Sequence, residues 1–136
     1  MGVRVGRAGE DEVGVLVKIG GVRWAHQALG IRSVEFPELD AARIEELIRA
    51  LETAGPVRVL VTSGAATMES VGRFGGFSTT GEYFNVQTKS LDMHIRHTQL
   101  ARAFAVIKPG HMDGVTTVSF QFYDHNGNSA FKVFLT

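Results

Sequence analysis

The stretch Leu91–His97, LDMHIRH, sets a histidine between an acid and an arginine at alternate positions. Imidazole, carboxylate and guanidinium so placed could move a proton, ligate a metal, or hold an anion beside one. The five histidines are His26, His94, His97, His111 and His125, and no pair has the spacing of a helical zinc motif. On a strand His94 and His97 face opposite sides, so they share a metal only if the strand ends between them. There is no G-x-S-x-G elbow, no nucleophile–base pair and no pair of carboxylates at a convincing spacing. Asp92 shares the strand face of His94 and is close enough to orient its ring; the plainer reading is a surface ion pair with Arg96. His111 and His125 fall in expected loops, where solvation accounts for them. Trp24 and His26 read as packing at the margin of the core. No catalytic constellation emerges, so a binding site is the better expectation than an enzyme.

Several elements must position these groups. Leu91, Met93 and Ile95 alternate with Asp92, His94 and Arg96, and period two makes this a strand with its apolar side chains on one face. In FPELDAARIEELIRALETAGP, Ile44, Leu47, Ile48 and Leu51 form an i, i+3, i+4, i+7 stripe. Asp40 starts that helix, Glu45 and Glu46 sit in its early turns, and Gly55 and Pro56 stop it. PVRVLVTS follows as a strand with Val57, Val59 and Val61 on one face. The Gly-rich stretch 64–86 holds two strands joined by loops, and GRFGG (72–76) lies outside a strand–loop–helix phosphate context. QLARAFAVIKPG begins as a helical turn and ends as a strand. Val118, Phe120 and Phe122, then Phe131, Val133 and Leu135, alternate on either side of Asn126-Gly127, which predicts a hairpin with a two-residue turn. VGVLVKIGGVRWA reads as one or two short strands broken by Gly20 and Gly21.

This order predicts an α+β fold, a large mostly antiparallel sheet with a helix packed on one face. The 136 residues suit one domain. At 44% hydrophobic and 21% charged the chain has an ordinary globular composition, which argues against wholesale disorder. Acidic and basic residues balance at 14 each, so no global field draws it to nucleic acid or to a membrane. There is no cysteine, and no apolar run approaches the roughly 20 residues of a spanning helix. The N-terminus lacks the apolar core of a signal peptide, and a cytoplasmic location is expected.

The face of the sheet away from the helix is expected to carry Leu60, Thr62, His94, Arg96, Tyr123 and Phe134, a set too apolar for plain water and too polar for a core. An imidazole there, with basic groups at the rim, suits a planar, apolar, anionic ligand, and iron porphyrin is one. His94 is the candidate axial ligand. Lys89, Arg96 and Arg102 are candidate partners for propionates. Tyr83, Phe84, Leu60 and Phe134 are candidate pocket walls.

GEYFNVQTKSLDMHIRH, followed by AFAVIKPGHMDGVTTVSFQFYDHNGNSAFKVFLT, resembles the HutX/ChuX-type haem utilisation proteins and the related HemS-type hemin transport or degradation proteins. The resemblance rests on the aromatic YFNV strand, the HI pair with a basic residue after it, the AVIKP strand and the final hairpin closed by FKVFL. With the helix and strand of DAARIEELIRALETAGPVRVLV it covers roughly residues 38–136, leaving 1–36 as an atypical N-terminal segment. It implies a HemS/ChuX-like half unit that pairs as a homodimer and carries, stores or delivers haem, with a haem transporter or a haem-degrading enzyme as partner. Some relatives are reported to degrade haem themselves, which would need a reductant. His94 matches the histidine of the family's HI strand. The second histidine of the HutX/ChuX branch falls at Thr62, whose hydroxyl is no comparable iron ligand. Three readings follow: His94 is the one protein ligand, another residue substitutes, or the fold is kept as an interaction module without haem.

Overall fold

Alternation of side chains builds most of the molecule. A computed structural model of the chain describes residues 4–7, 14–19, 22–27, 38–39, 41–109 and 116–136, with 4–7, 14–19, 22–27, 107–109 and 116 as backbone alone. Strands β1 (Arg4–Arg7), β2 (Gly14–Ile19) and β3 (Val22–Gln27) form a small antiparallel sheet. The two strands expected about residues 20 and 21 are therefore present. Gly20, Gly21 and His111 lie outside the described residues, as do the side chains of Trp24 and His26.

The expected helix is shorter than its sequence pattern. A 3-10 turn, Ala41–Arg43, leads into α1 (Ile44–Ala50), and a second, Leu51–Ala54, carries the chain to Gly55. Asp40, the expected start, is outside the described residues, and Arg43 before α1 makes no side-chain capping bond. Seven residues of helix are too few to stand alone in water, so tertiary packing must hold them. Leu47, Ile48 and Leu51 are fully buried. Each contributes about 1.5–3 kcal/mol against exposure.

Strands β4 (Glu38–Leu39), β5 (Pro56–Thr62), β6 (Thr67–Arg73), β10 (Leu100–Pro109), β11 (Thr116–Asp124) and β12 (Ser129–Leu135) make a six-stranded antiparallel sheet in the order β4-β10-β11-β12-β5-β6. Its inner face carries Val57, Val59, Ala103, Ala105, Val118, Phe120, Phe122, Phe131 and Val133, all buried. Phe122 and Phe131, cross-strand partners, stack with centroids 4.4 Å apart. Where a helical turn was expected before β10, a 3-10 turn spans His97–Gln99 and the strand begins at once. The hairpin of β11 and β12 is present, but its loop is longer than two residues. The Asp124 amide donates to Asn128 O at 2.9 Å, so residues 125–127 close it. Gly127 supplies the left-handed φ of 81° that this loop needs. Asp124 Oδ1 accepts from the amides of Asn126 and Asn128.

A separate antiparallel sheet, β7 (Phe77–Thr80), β8 (Tyr83–Gln87) and β9 (Asp92–Arg96), faces the same core with Phe84, Val86 and Ile95. It is joined to the larger one by hydrogen bonds to main-chain oxygens, from one amide and two hydroxyls. The Gln87 amide donates to Gly75 O at 3.1 Å, Thr88 Oγ1 to Arg73 O at 3.0 Å, and Ser70 Oγ to Ser90 O at 2.7 Å. At Gly76, with φ of 62°, a Cβ would lie 1.9 Å from Gln87 O, so only glycine permits the join. Among the described residues no helix is long and apolar enough to cross a membrane.

The division into two sheets corrects the expected groove. Leu60, Thr62, Tyr123 and Phe134 lie on the outward face of the six-stranded sheet, while His94 and Arg96 lie on the outward face of the other. Both outward faces turn away from the shared core, so the six do not line one groove.

Candidate functional site

The parity of β9 is as its sequence predicts. Ile95 is buried and Met93 packs against the core, which turns Asp92, His94 and Arg96 outward. On the neighbouring strand Asn85 is the cross-strand partner of His94, and Tyr83 of Arg96. Ser78 and Thr80 of β7 complete the face beside them.

One side chain from each strand then meets the next. His94 Nδ1 lies 2.7 Å from Asn85 Oδ1, and Asn85 Nδ2 donates to Ser78 Oγ at 3.1 Å and Thr80 Oγ1 at 3.0 Å. Asn85 is only 5% exposed, although it stands on the outward face. An amide nitrogen has two hydrogens, and the two hydroxyls take both. Turned the other way, the amide would leave one buried N–H unbonded, at a cost of about 1–3 kcal/mol. Asn85 therefore presents its oxygen to the ring at Nδ1.

The other ring nitrogen faces out. Nε2 lies 3.3 Å from Asp92 Oδ1, with both side chains more than half exposed. Gln87 Nε2 donates to the same carboxylate oxygen at 3.2 Å. An exposed contact of this kind is worth about 0–1 kcal/mol, so the buried amide outweighs it in setting the ring. The expected contact of Asp92 with His94 is present. The expected ion pair of Asp92 with Arg96 is not, because Arg96 Nε bonds Glu82 at 2.9 Å. Arg96 Nη2 donates to Tyr83 OH at 2.8 Å, and the guanidinium lies 5.4 Å from the tyrosine ring centroid. The Tyr83 hydrogen bond, with Glu82 adding, holds that guanidinium above its ordinary pKa.

His94 borders two concavities. A shallow one of about 490 Å³ is lined by Ser78, Thr80, Tyr83, Asn85, Gln87 and His94. A cleft of about 270 Å³ is lined by His94 and Arg96 with Val61, Met93, Leu100, Ala130 and Phe131 among others. Residues 93–96 of both parities line this cleft, so it runs along the free edge of β9, the terminal strand of its sheet. Val61 is 43% exposed there. Among the described residues no group of three or more His, Asp or Glu is placed to hold a metal ion, so His94 stands as a single imidazole donor.

Of the residues singled out by sequence, His94, Arg96 and Tyr83 come together. Phe84 does not: it is fully buried on the opposite face, with Arg49 of α1 4.9 Å from its ring centroid. Tyr83 and Phe84 are consecutive strand residues, so only one could face His94. Lys89 lies in the turn between β8 and β9, in a separate concavity of about 590 Å³ with Glu52, Arg73 and Gly75. Arg102 lies across the six-stranded sheet, bonded to both oxygens of Glu38 at 2.8 Å and 5.0 Å from the Phe104 centroid. Leu60 and Phe134 are half-buried on that sheet's outward face and line neither concavity of His94. Thr62 shares their face and bonds Thr67 Oγ1 at 3.0 Å. Its neighbour Val61, of the other parity, is the β5 residue in the cleft. His125 lies in the hairpin loop with a ring nitrogen 3.2 Å from Thr98 O. Sequence reasoning missed Asn85, whose signal was an amide inside the apolar strand YFNV, where asparagine is disfavoured.

Comparison with known proteins supplies the family. The family described as haem utilisation ChuX/HutX matches residues 38–136. This chain belongs to the ChuX/HutX family. The hemin transport protein HmuS of Yersinia pestis is 31% identical over 102 residues, 71% of this chain and 29% of HmuS. The crystal structure of ChuX matches with a TM-score of 0.66 at 19% identity, over 74% of this chain and 62% of that one. Holo-PhuS, a haem-binding protein of Pseudomonas aeruginosa, matches with a TM-score of 0.65 at 22% identity, over 74% of this chain and 29% of PhuS. The chain thus spans less than a third of HmuS and PhuS and less than two thirds of ChuX. At these identities the likeness to the solved structures is one of fold, the half unit expected from sequence.

Proposed function

We propose that this chain binds haem at the free edge of β9, with His94 Nε2 as its iron ligand, and carries, stores or delivers it. Membership of a haem utilisation family supports the reading, and the geometry of His94 carries it. Nδ1 is engaged by Asn85, Nε2 lies beside the exposed Asp92 carboxylate, and the residue lines a largely apolar cleft. Haem supplies an iron centre that accepts imidazole as an axial ligand.

The residues fit such a group. Val61, Leu100, Ala130 and Phe131 offer an apolar wall to a porphyrin ring. Arg96 Nη1, without a partner among the described residues, is free for a carboxylate while Tyr83 and Glu82 hold the rest of the guanidinium. Asp92, beside Nε2, is the side chain that must make room for such a group. With no cysteine in the chain the porphyrin cannot be tethered through thioethers, so b-type, reversible binding is the reading. Thr62 points to Thr67, which supports a single ligand from this chain. A cytoplasmic homodimer that exchanges haem with a transporter or a degrading enzyme completes the proposal.

A single protein ligand also leaves a coordination position open, and that favours haem degradation with a reductant partner as the second reading. The test is a hemin titration followed in the Soret region, beside His94→Ala and a serum-albumin control. A saturable, stoichiometric shift that the variant loses supports the proposal. No saturable shift makes the chain an interaction module of the same fold. An unchanged porphyrin spectrum after a reductant is added favours the carrier over the enzyme.

A further inference from the structure

We infer that Asn85 is a positioning residue: together with Ser78 and Thr80 it locks His94 as the Nδ1–H tautomer and so presents the Nε2 lone pair to a ligand. The inference deepens the haem reading and rests on it only for the identity of that ligand.

The lock runs across the sheet. The hydroxyls of Ser78 and Thr80, on β7, occupy both hydrogens of the Asn85 amide, on β8. That leaves Oδ1 as the atom toward β9, where His94 Nδ1 lies 2.7 Å away. The amide is buried and the hydroxyls flank it, so an unprotonated Nδ1 could be met only by flipping the amide, which would leave one of its hydrogens unbonded. A metal-ligating histidine characteristically donates its second ring N–H to an oxygen of this kind, which fixes tautomer and ring plane and raises the basicity of the ligating nitrogen. Here the three parts come from three strands in register, and the register itself sets the tautomer.

The experiment is long-range ¹⁵N–¹H correlation NMR of the imidazoles in the apo chain, at a pH above the imidazole range, for wild type, Asn85→Leu and Asn85→Asp. Wild-type His94 should show a pyrrole-like Nδ1 and a pyridine-like Nε2. Asn85→Leu should show a mixture of tautomers. Asn85→Asp retains an acceptor oxygen, and the hydroxyls can rotate to donate to it, so it should restore the wild-type pattern. In a parallel hemin titration Asn85→Leu should weaken binding about tenfold or more, the range for a partner of a metal ligand. A pyrrole-like Nε2 in the wild type, or an unaltered tautomer in Asn85→Leu, overturns the inference. If the NMR result holds and wild type gives no Soret shift, haem binding fails and the positioning role of Asn85 stands.

Discussion

Asp92 Oδ1 lies 3.3 Å from His94 Nε2, on the ring nitrogen that Asn85 leaves open. With the ring's proton on Nδ1, Nε2 has no hydrogen to give that carboxylate, which instead competes as an anion for the space a ligand of His94 would take. Asp92→Ala should tighten hemin binding about two- to fivefold by clearing that anion from the approach, a change of up to about 1 kcal/mol. Soret titrations of the two proteins side by side would show it, and weaker binding by the variant would count against this competition.

The cleft makes a prediction at a residue that is not a ligand. Val61 is partly exposed and lines the cleft with His94. Val61→Glu should lower hemin affinity more than tenfold by placing a charge against the ring. Its unfolding free energy should stay within the range of surface substitutions, about ±0.5 kcal/mol. A glutamate variant that binds hemin normally would move the site off the β9 edge.

Acid should loosen one edge of the larger sheet. The Arg102 guanidinium, through its hydrogen bonds and then its charge, holds the Glu38 carboxyl below its ordinary pKa. A carboxyl depressed in the folded state contributes stability above its unfolded pKa and loses it as pH falls through the folded value. Thermal unfolding of wild type and Glu38→Gln across a pH series should therefore show an advantage for wild type near neutrality that shrinks through the carboxylate range and below. A difference independent of pH would show that the pair is not the source.

Gly76→Ala should be among the most damaging single-methyl changes available. The added carbon would meet Gln87 O at 1.9 Å and sit at a positive φ. A loss of about 2–4 kcal/mol is expected in urea unfolding. A loss near zero would mean that the loop can move away from β8.

Much of the architecture was legible in sequence because strand parity is a local property. The alternation in LDMHIRH correctly turned Ile95 inward and His94 outward, and the two aromatic runs around Asn126-Gly127 gave a true hairpin. Parity says which residues share a face but not which strands share a sheet. Leu60 and Phe134 were accordingly placed beside His94, although hydrogen bonding puts β5 and β12 in one sheet and β9 in another. Lys89 and Arg102 were chosen for charge, and where a long cation reaches depends on turns and partners such as Glu38 that lie far off in the chain. The helix was over-extended because the apolar stripe continues through 3-10 turns that periodicity does not distinguish. Asn85 escaped notice because its role arises only when β7, β8 and β9 are aligned.

The seam between the two sheets bears on how such a protein can drift. Its bonds end on the main-chain oxygens of Arg73, Gly75 and Ser90, but two of the three are donated by the side-chain hydroxyls of Thr88 and Ser70. Side chains elsewhere in the core can be exchanged over generations without disturbing how one sheet is hung from the other. The lineage is then free to rewrite most of its interior while the imidazole of His94 keeps its bearing on the cleft, with glycine at position 76 and hydroxyls at 70 and 88 as the toll.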